Sequence, residues 1–315
     1  MHRNGYTRAE QGYSLYGMPM IRPCQREGES MLHLGEITID LVNDARIYVD
    51  AGGPFGLVPR ALFSRYLIPD QENRVPMDHN CLLVSTAGKT ILVDTGLGTK
   101  LPEKAERLMV LSRPEGGLVA GLARRGVAPG DVEIVINTHL HNDHCGGNTL
   151  QQPGGGLAAT FPNAKYLIPQ REYEDALHPN ERTRATYFAE NFMPLQESGQ
   201  MILHHGDIEV VPGVRIVPTP GHTPGHTSIL FESDGKSALY VADLASYAVH
   251  FAKLAWMTAY DVEPLVTLET KRHWQTWALQ NDALLIFEHD PLIRVGQAVD
   301  GEAGFDVLPA SVATG

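Results

Sequence analysis

The sequence predicts an α+β fold in which two β-sheets pack together with helices outside. Both halves of the chain read as strands, then a helix, then more strand, the pattern of layered sheets. No Gly-x-Gly-x-x-Gly follows a strand, which argues against a doubly wound dinucleotide fold. At 315 residues, 43% hydrophobic and 20% charged, the chain can also bury a full core.

The elements follow in order. Residues 1–30 lack periodicity and read as an N-terminal arm, and residues 31–315 read as one domain. Met31–Leu34 and Ile37–Leu41 are strand signals. The mixed run Ala51–Asn80 reads as a long loop, in which Phe55, Leu57, Phe63, Tyr66 and Leu67 either line a pocket or anchor the loop. Cys81–Val84 and Thr90–Val93 form a hairpin that runs into Asp94-Thr95-Gly96. Pro114–Arg125 suggests a helix, although Gly116, Gly117 and Gly121 weaken it. Val132–Ile136 and Lys165–Ile168 are strands, and a short helix follows from Arg171 to Leu177. Strand signals then crowd together at Met201–Leu203, Ile208–Val211, Val214–Val217, Ser228–Phe231 and Ala238–Val241. A helix over Val262–Leu279 and a strand over Ala283–Phe287 complete the pattern.

Composition narrows the function classes. The chain has 25 Lys and Arg against 37 Asp and Glu, a formal charge of −12. An acidic chain without a basic tract is a poor ligand for a nucleic-acid backbone or an anionic membrane. No apolar stretch approaches bilayer-spanning length. Cys24, Cys81 and Cys145 do not make a disulfide framework, so a reducing, cytoplasmic setting is expected. The expected partner is a small molecule, and nothing in the sequence opposes a homodimer.

The chemistry concentrates in Asn137–Gly147, where His139, His141, Asp143 and His144 fall within six residues. Imidazole and carboxylate are ligands for Zn²⁺ and other borderline divalent ions. In an extended segment His139 and His141 can converge on one ion, while Asp143 and His144 point elsewhere. Two pairs of ligands suit two neighbouring ions. The remaining ligands are sought just beyond strands: His222 and His226 in the Pro/Gly-rich loop Thr219–His226, Asp243 after Ala238–Val241, and His289 after Ala283–Phe287. His204-His205 reads as a surface turn, and His79 has no partner that sequence identifies.

The ordered pattern His-x-His-x-Asp-His, then a distant His, Asp and His, resembles the metallo-β-lactamase-fold hydrolase superfamily, from about Leu32 to Asp290. The resemblance implies an αββα sandwich of two mixed β-sheets flanked by helices. It implies that His139, His141 and His226 hold a first ion, that Asp143, His144 and His289 hold a second, and that Asp243 bridges the two. Asp94 then orients a ligand from outside, and His222 supports its loop. Two divalent ions per chain are implied, with Zn²⁺ expected and Mn²⁺, Fe²⁺ or Co²⁺ as alternatives. The chemistry implied is hydrolysis by a metal-activated water, in which Asp143 also orients that water or relays its proton.

Phe55–Phe63, Asn73–Pro76, Asn80–Val84 and Tyr260–Pro264 resemble a subgroup of quorum-quenching N-acyl-homoserine lactonases and methyl-parathion-hydrolase-like enzymes. That implies the opening of a lactone, or cleavage of a carboxylic ester, in a neutral, partly apolar substrate. Lactonases of the family often use a tyrosine three residues after the bridging aspartate. Here Ser246 holds that position and Tyr247 follows, so Tyr247 is the candidate proton donor. Phosphotriester and glyoxalase II-like thioester hydrolysis are the alternatives, and a metal-bound interaction protein is the non-enzyme alternative.

Overall fold

A computed structural model describes residues 31–301 and 304–310. The expected arm, Met1 to Ser30, lies outside them. The first half contributes β1 (Met31–Leu34), β2 (Ile37–Asp50), β3 (Arg74–Thr86), β4 (Lys89–Val93) and β5 (Ile134–Ile136). A separate hairpin, β6 (Thr149–Gln151) and β7 (Leu157–Ala159), precedes β8 (Lys165–Pro169) and β9 (Met201–His204). The first sheet runs β1-β2-β3-β4-β5-β8-β9, with parallel pairing from β4 to β9 and antiparallel pairing before it.

The second sheet has β10 (Ile208–Val211), β11 (Val214–Pro218), β12 (Thr227–Ser233), β13 (Lys236–Tyr240), β14 (Leu284–Ile286), β15 (Val295–Gly301) and β16 (Gly304–Pro309), paired in that order. Only β13 and β14 are parallel within it. Both sheets are therefore mixed.

Alternation along the strands creates the central layer. Ile39, Leu82, Val84, Ile91, Val93 and Ile136 of the first sheet meet Ile216, Ile229, Phe231, Tyr240 and Ile286 of the second. Each fully buried side chain of this kind contributes about 1.5–3 kcal/mol. The helix Leu118–Arg124 covers the other face of the first sheet through Leu118 and Leu122, against Val42, Leu92 and Val135. The helix Pro264–Gln280 covers the second through Trp274 and Ala278, against Leu230, Leu239 and Leu285. The result is an αββα sandwich.

Two expectations are corrected. Ala51–Asn80 is not one long loop: β2 continues to Asp50, and β3 begins at Arg74. Polar residues of both strands, among them Asn43, Asp44, Asp78 and Asn80, are buried, which hides the alternation that marks a half-buried strand. The helix expected from Pro114 starts only at Leu118, because Gly116 and Gly117 adopt φ of +72° and +93°. No helix among the described residues is long and apolar enough to cross a membrane.

Candidate metal centre

The centre lies where the loops after β5, β11, β13 and β14 meet. The loop after β5 stays extended to His141, and a single helical turn, Asn142–Cys145, then swings Asp143 and His144 to a new direction. Gly146 and Gly147 let this turn lie against the Asp94–Gly98 segment. A Cβ on Gly147 would come within 2.2 Å of the Thr95 carbonyl oxygen, and one on Gly146 within 2.3 Å of that of Leu97. Thr227 joins the sheets here, donating to the Thr138 carbonyl from its amide at 3.0 Å and from its hydroxyl at 2.9 Å. Asp94 and Ala242 hold left-handed φ values of +55° and +45° in turns of the site, conformations that non-glycine residues adopt at a cost.

Two groups of ligand atoms share Asp243. His139, His141, His222 and Asp243 form one, and His144, Asp243 and His289 the other, with the ligand atoms of each group within 4.8 Å of one another. The Asp243 carboxylate is 3.1 Å from His222 Nε2, 3.9 Å from His139 Nε2, 3.4 Å from His144 Nε2 and 3.3 Å from His289 Nε2. Asp143 Oδ2 lies farther out, 3.8 Å from His289 Nε2 and 3.9 Å from His144 Nε2. Its side chain keeps 29% of its surface exposed.

Outer hydrogen bonds fix which nitrogen of each ring faces inward. His289 Nδ1 donates to the Asp78 carbonyl at 2.7 Å, and a carbonyl can only accept. His222 Nδ1 donates to Asp261 at 2.9 Å. His144 Nδ1 donates to Glu288 at 2.9 Å and to Asp94 at 3.2 Å. The Thr138 hydroxyl gives its proton to Asp94 at 2.8 Å, so it accepts from His139 Nδ1 at 3.1 Å. In all four rings Nε2 is therefore the nitrogen that faces inward, a lone pair once the ring is neutral. His139 Nε2 is buried without any hydrogen-bond partner. His289 Nε2 and His144 Nε2 face each other at 3.2 Å, and His222 Nε2 faces His141 Nδ1 at 3.1 Å. Buried imidazole nitrogens converging on carboxylates, each ring's outer nitrogen already hydrogen-bonded, fit divalent cations.

Without ions the carboxylates keep protons on three of the rings: against burial, His144 is raised well above the ordinary imidazole range, His289 to about 9, and His222 upward, and divalent cations would take the place of those protons. Burial and then the charges of His144 and His141 hold His139 well below the ordinary imidazole range. Burial works against the Asp243 carboxylate, but His222 and His289 hold it well below the usual carboxylate range. Burial pushes Asp94 up to about 6, against the hydrogen bond with His144.

The structure places His222, not the expected His226, with His139, His141 and Asp243. His226 Nδ1 lies 3.0 Å from the Thr219 carbonyl and donates to it, while Nε2 accepts the Asp243 amide proton at 3.1 Å. Both nitrogens are spent within the protein, and His222 takes the place beside His139 and His141.

Tyr247 is wholly buried, stacks on Phe55 at 5.7 Å and donates its hydroxyl proton to the Pro76 carbonyl at 3.0 Å. Ser246 turns inward instead, donating to Asp243 Oδ1 at 2.8 Å. Phe55, Phe63 and Leu67 anchor their loop, Leu57 is exposed, and Phe251 packs under the helix Pro264–Gln280. Cys145 is buried, with Sγ donating to the Leu140 carbonyl. His204 is buried at the end of β9 rather than in a surface turn.

Sequence reasoning missed the supports. Glu172 is buried and accepts from the Leu140 amide at 3.1 Å, the Tyr187 hydroxyl at 2.8 Å and the Thr223 hydroxyl at 2.6 Å. It thereby pins the His139 and His222 loops together. Glu288 accepts from Tyr240 at 2.5 Å as well as from His144. Adjacency to His289 is the one sequence signal for Glu288, and Glu172 has none.

The sequence matches the family model of the metallo-beta-lactamase superfamily over residues 74–298. An N-acyl homoserine lactonase from a Bacillus species is 30% identical over 247 residues, 73% of this chain and 84% of that protein. A probable metal-dependent hydrolase from Staphylococcus aureus superposes with a TM-score of 0.80 at 29% identity, covering 90% of this chain and 100% of the other. An N-acyl homoserine lactone hydrolase, solved with N-hexanoyl-L-homoserine as product at its catalytic metal centre, superposes with a TM-score of 0.63 at 25% identity, covering 82% of this chain and 95% of the other.

Proposed function

We propose a lactone-opening activity on one premise: the chain belongs to the metallo-β-lactamase superfamily. The observation that carries the proposal is the convergence of imidazole Nε2 atoms on Asp243, each ring held by an outward hydrogen bond. Its closeness to a lactonase of 30% identity supports the substrate class.

In this reading His139, His141 and His222 hold a first divalent ion, His144, His289 and Asp143 hold a second, and Asp243 reaches both. Bound there, the ions supply Lewis acidity that lowers the pKa of a water and polarises a carbonyl. Asp143 is the exposed carboxylate of the group and takes up and relays the proton. Ser246 holds Asp243 at a fixed angle.

Tyr260 replaces Tyr247 as the phenol that donates to the substrate oxygen as charge develops on it. It is 42% exposed, and its hydroxyl has no hydrogen-bond partner among the described residues. The hydroxyl lies directly over Gly53, where a Cβ would come within 1.8 Å of it. The next residue, Asp261, is bonded to His222. Burial pushes the phenol up to about 12, helped by the charges of Asp143 and Asp243, so it stays protonated as a donor. A neutral, partly apolar substrate and a cytoplasmic setting belong to the same reading, supported by the formal charge of −12 and by the short cysteine inventory.

A panel of acyl-homoserine lactones, γ-lactones, aryl esters, phosphotriesters and glutathione thioesters tests the substrate class. The highest kcat/KM is expected on a lactone. A preference for the phosphotriester or the thioester rejects the reading.

A further inference from the structure

We propose that His79 is an additional ligand of the second ion. The inference rests on the two-ion reading above and adds a residue from a different part of the chain. His79 lies on β3 opposite Ala45, where the register of β2 shifts between Asn43 and Ala45. Such bulges re-aim side chains beside functional sites. The neighbouring Asp78 carbonyl holds His289 Nδ1, so this short stretch of β3 serves the centre twice.

The ring of His79 repeats the pattern of the other histidines. It is fully buried, and Nδ1 points at the Ala45 carbonyl at 3.4 Å. A carbonyl cannot donate, so Nδ1 carries a proton and Nε2 is the nitrogen left to face the centre. Nε2 has no hydrogen-bond partner and lies 3.7 Å from Asp143 Oδ2. The ring stands edge-on to that of His289, with centroids 5.0 Å apart. The ligand atoms of His79, Asp143 and His289 all lie within 4.8 Å of one another.

His79 Nε2 is buried without a partner and faces the partly exposed Asp143 carboxylate across a gap that a cation would fill. With His144, His289, Asp143 and Asp243 this makes five ligands, and bonds of about 2.0–2.2 Å then place neighbouring ligand atoms roughly 3–3.6 Å apart, close to the 3.7 Å between His79 Nε2 and Asp143 Oδ2. His79 thus joins Asp143 to the second ion and gives that ion a ligand the first one lacks.

The test compares the full-length parent with His79→Gln and His79→Leu, each loaded with Co²⁺. Imidazoles bound to paramagnetic Co²⁺ give strongly shifted exchangeable ring N–H signals in proton NMR. The expected result is two ions in the parent and one fewer shifted N–H signal in a folded variant. Affinity for the second ion should fall at least about tenfold, with the first ion unchanged. Parent-like signals and affinity in either folded variant overturn the proposal. Weakened affinity with every shifted signal retained also overturns it, because His79 then acts only through Asp143. A parent that takes up a single ion overturns the two-ion reading and this inference with it, whereas a two-ion parent beside an unaffected variant removes His79 alone.

Discussion

Asp261 accepts a 2.9 Å hydrogen bond from Nδ1 of His222, and the Thr258 hydroxyl donates to the same oxygen at 2.8 Å. The carboxylate leaves His222 one nitrogen, Nε2, to present to His141 and Asp243. Asp261→Asn loses the charge and can turn a donor toward the ring. Outer partners of this kind set metal affinity by about 10–100-fold. Chelator competition is expected to show that loss for one of the two ions and a parent value for the other. Unchanged affinity for both would mean that Asp261 only anchors its loop.

The two histidines of the Thr219–His226 loop separate cleanly. His222→Ala is expected to lower bound metal from two ions to one. His226→Ala is expected to retain both ions and to destabilise the fold by about 1–3 kcal/mol, because the Asp243 amide and the Thr219 carbonyl lose a buried partner. Elemental analysis and urea unfolding check the pair, and loss of an ion from His226→Ala alone reverses the assignment.

These residues also show where the sequence is legible. His139, His141, Asp143 and His144 stand out because their crowding has no packing explanation. His222 and His226 share the same Pro-Gly-His surroundings four residues apart, so spacing cannot choose between them. The choice is made by Asp261, 39 residues downstream of His222. Glu172 and His79 escaped for the same reason: their partners are loops and strands distant in sequence. The sandwich itself was readable from short apolar runs such as those of β11 and β12. The long β2–β3 hairpin was not, since Asn43, Asp44, Asp78 and Asn80 are polar and yet buried beneath the site.

The two tyrosines near the centre make opposite forecasts. Tyr260→Phe is expected to lower kcat on the best lactone by about 10²-fold or more, the scale for a lost donor to a developing oxyanion, with both ions bound. Tyr247→Phe is expected to change kcat little, because its hydroxyl is committed to the Pro76 carbonyl. Steady-state kinetics with metal analysis on both variants decide it. A loss confined to Tyr247→Phe would return the donor role to that residue.

His250 gives a pH dependence. It is buried between Phe55 and Tyr247, with neither ring nitrogen bonded. Burial, and then the charge of Lys271, lower it to about 3, against about 6.5 in an unfolded chain. The unfolded chain therefore binds a proton that the folded protein refuses. His250's contribution is fully present above about pH 6.5 and is lost as pH falls toward about 3, at no more than about 1.4 kcal/mol per pH unit. His250→Leu should remove this part of the slope. Urea unfolding of parent and variant at pH 7.5 and 5, both with metal, isolates it, because acid loss of the ions cancels in the difference. Parallel pH profiles would show that His250 titrates normally.

The central claim is that this centre opens lactones with its ions in place. Its most direct measurement follows N-hexanoyl-homoserine lactone by NMR with metal-loaded, chelator-stripped and metal-restored protein. Ring opening to the acyl-homoserine is expected with loaded protein, lost on stripping and regained with Zn²⁺. Protein that carries two ions and leaves the lactone closed, or opens it equally well when stripped, would contradict the account.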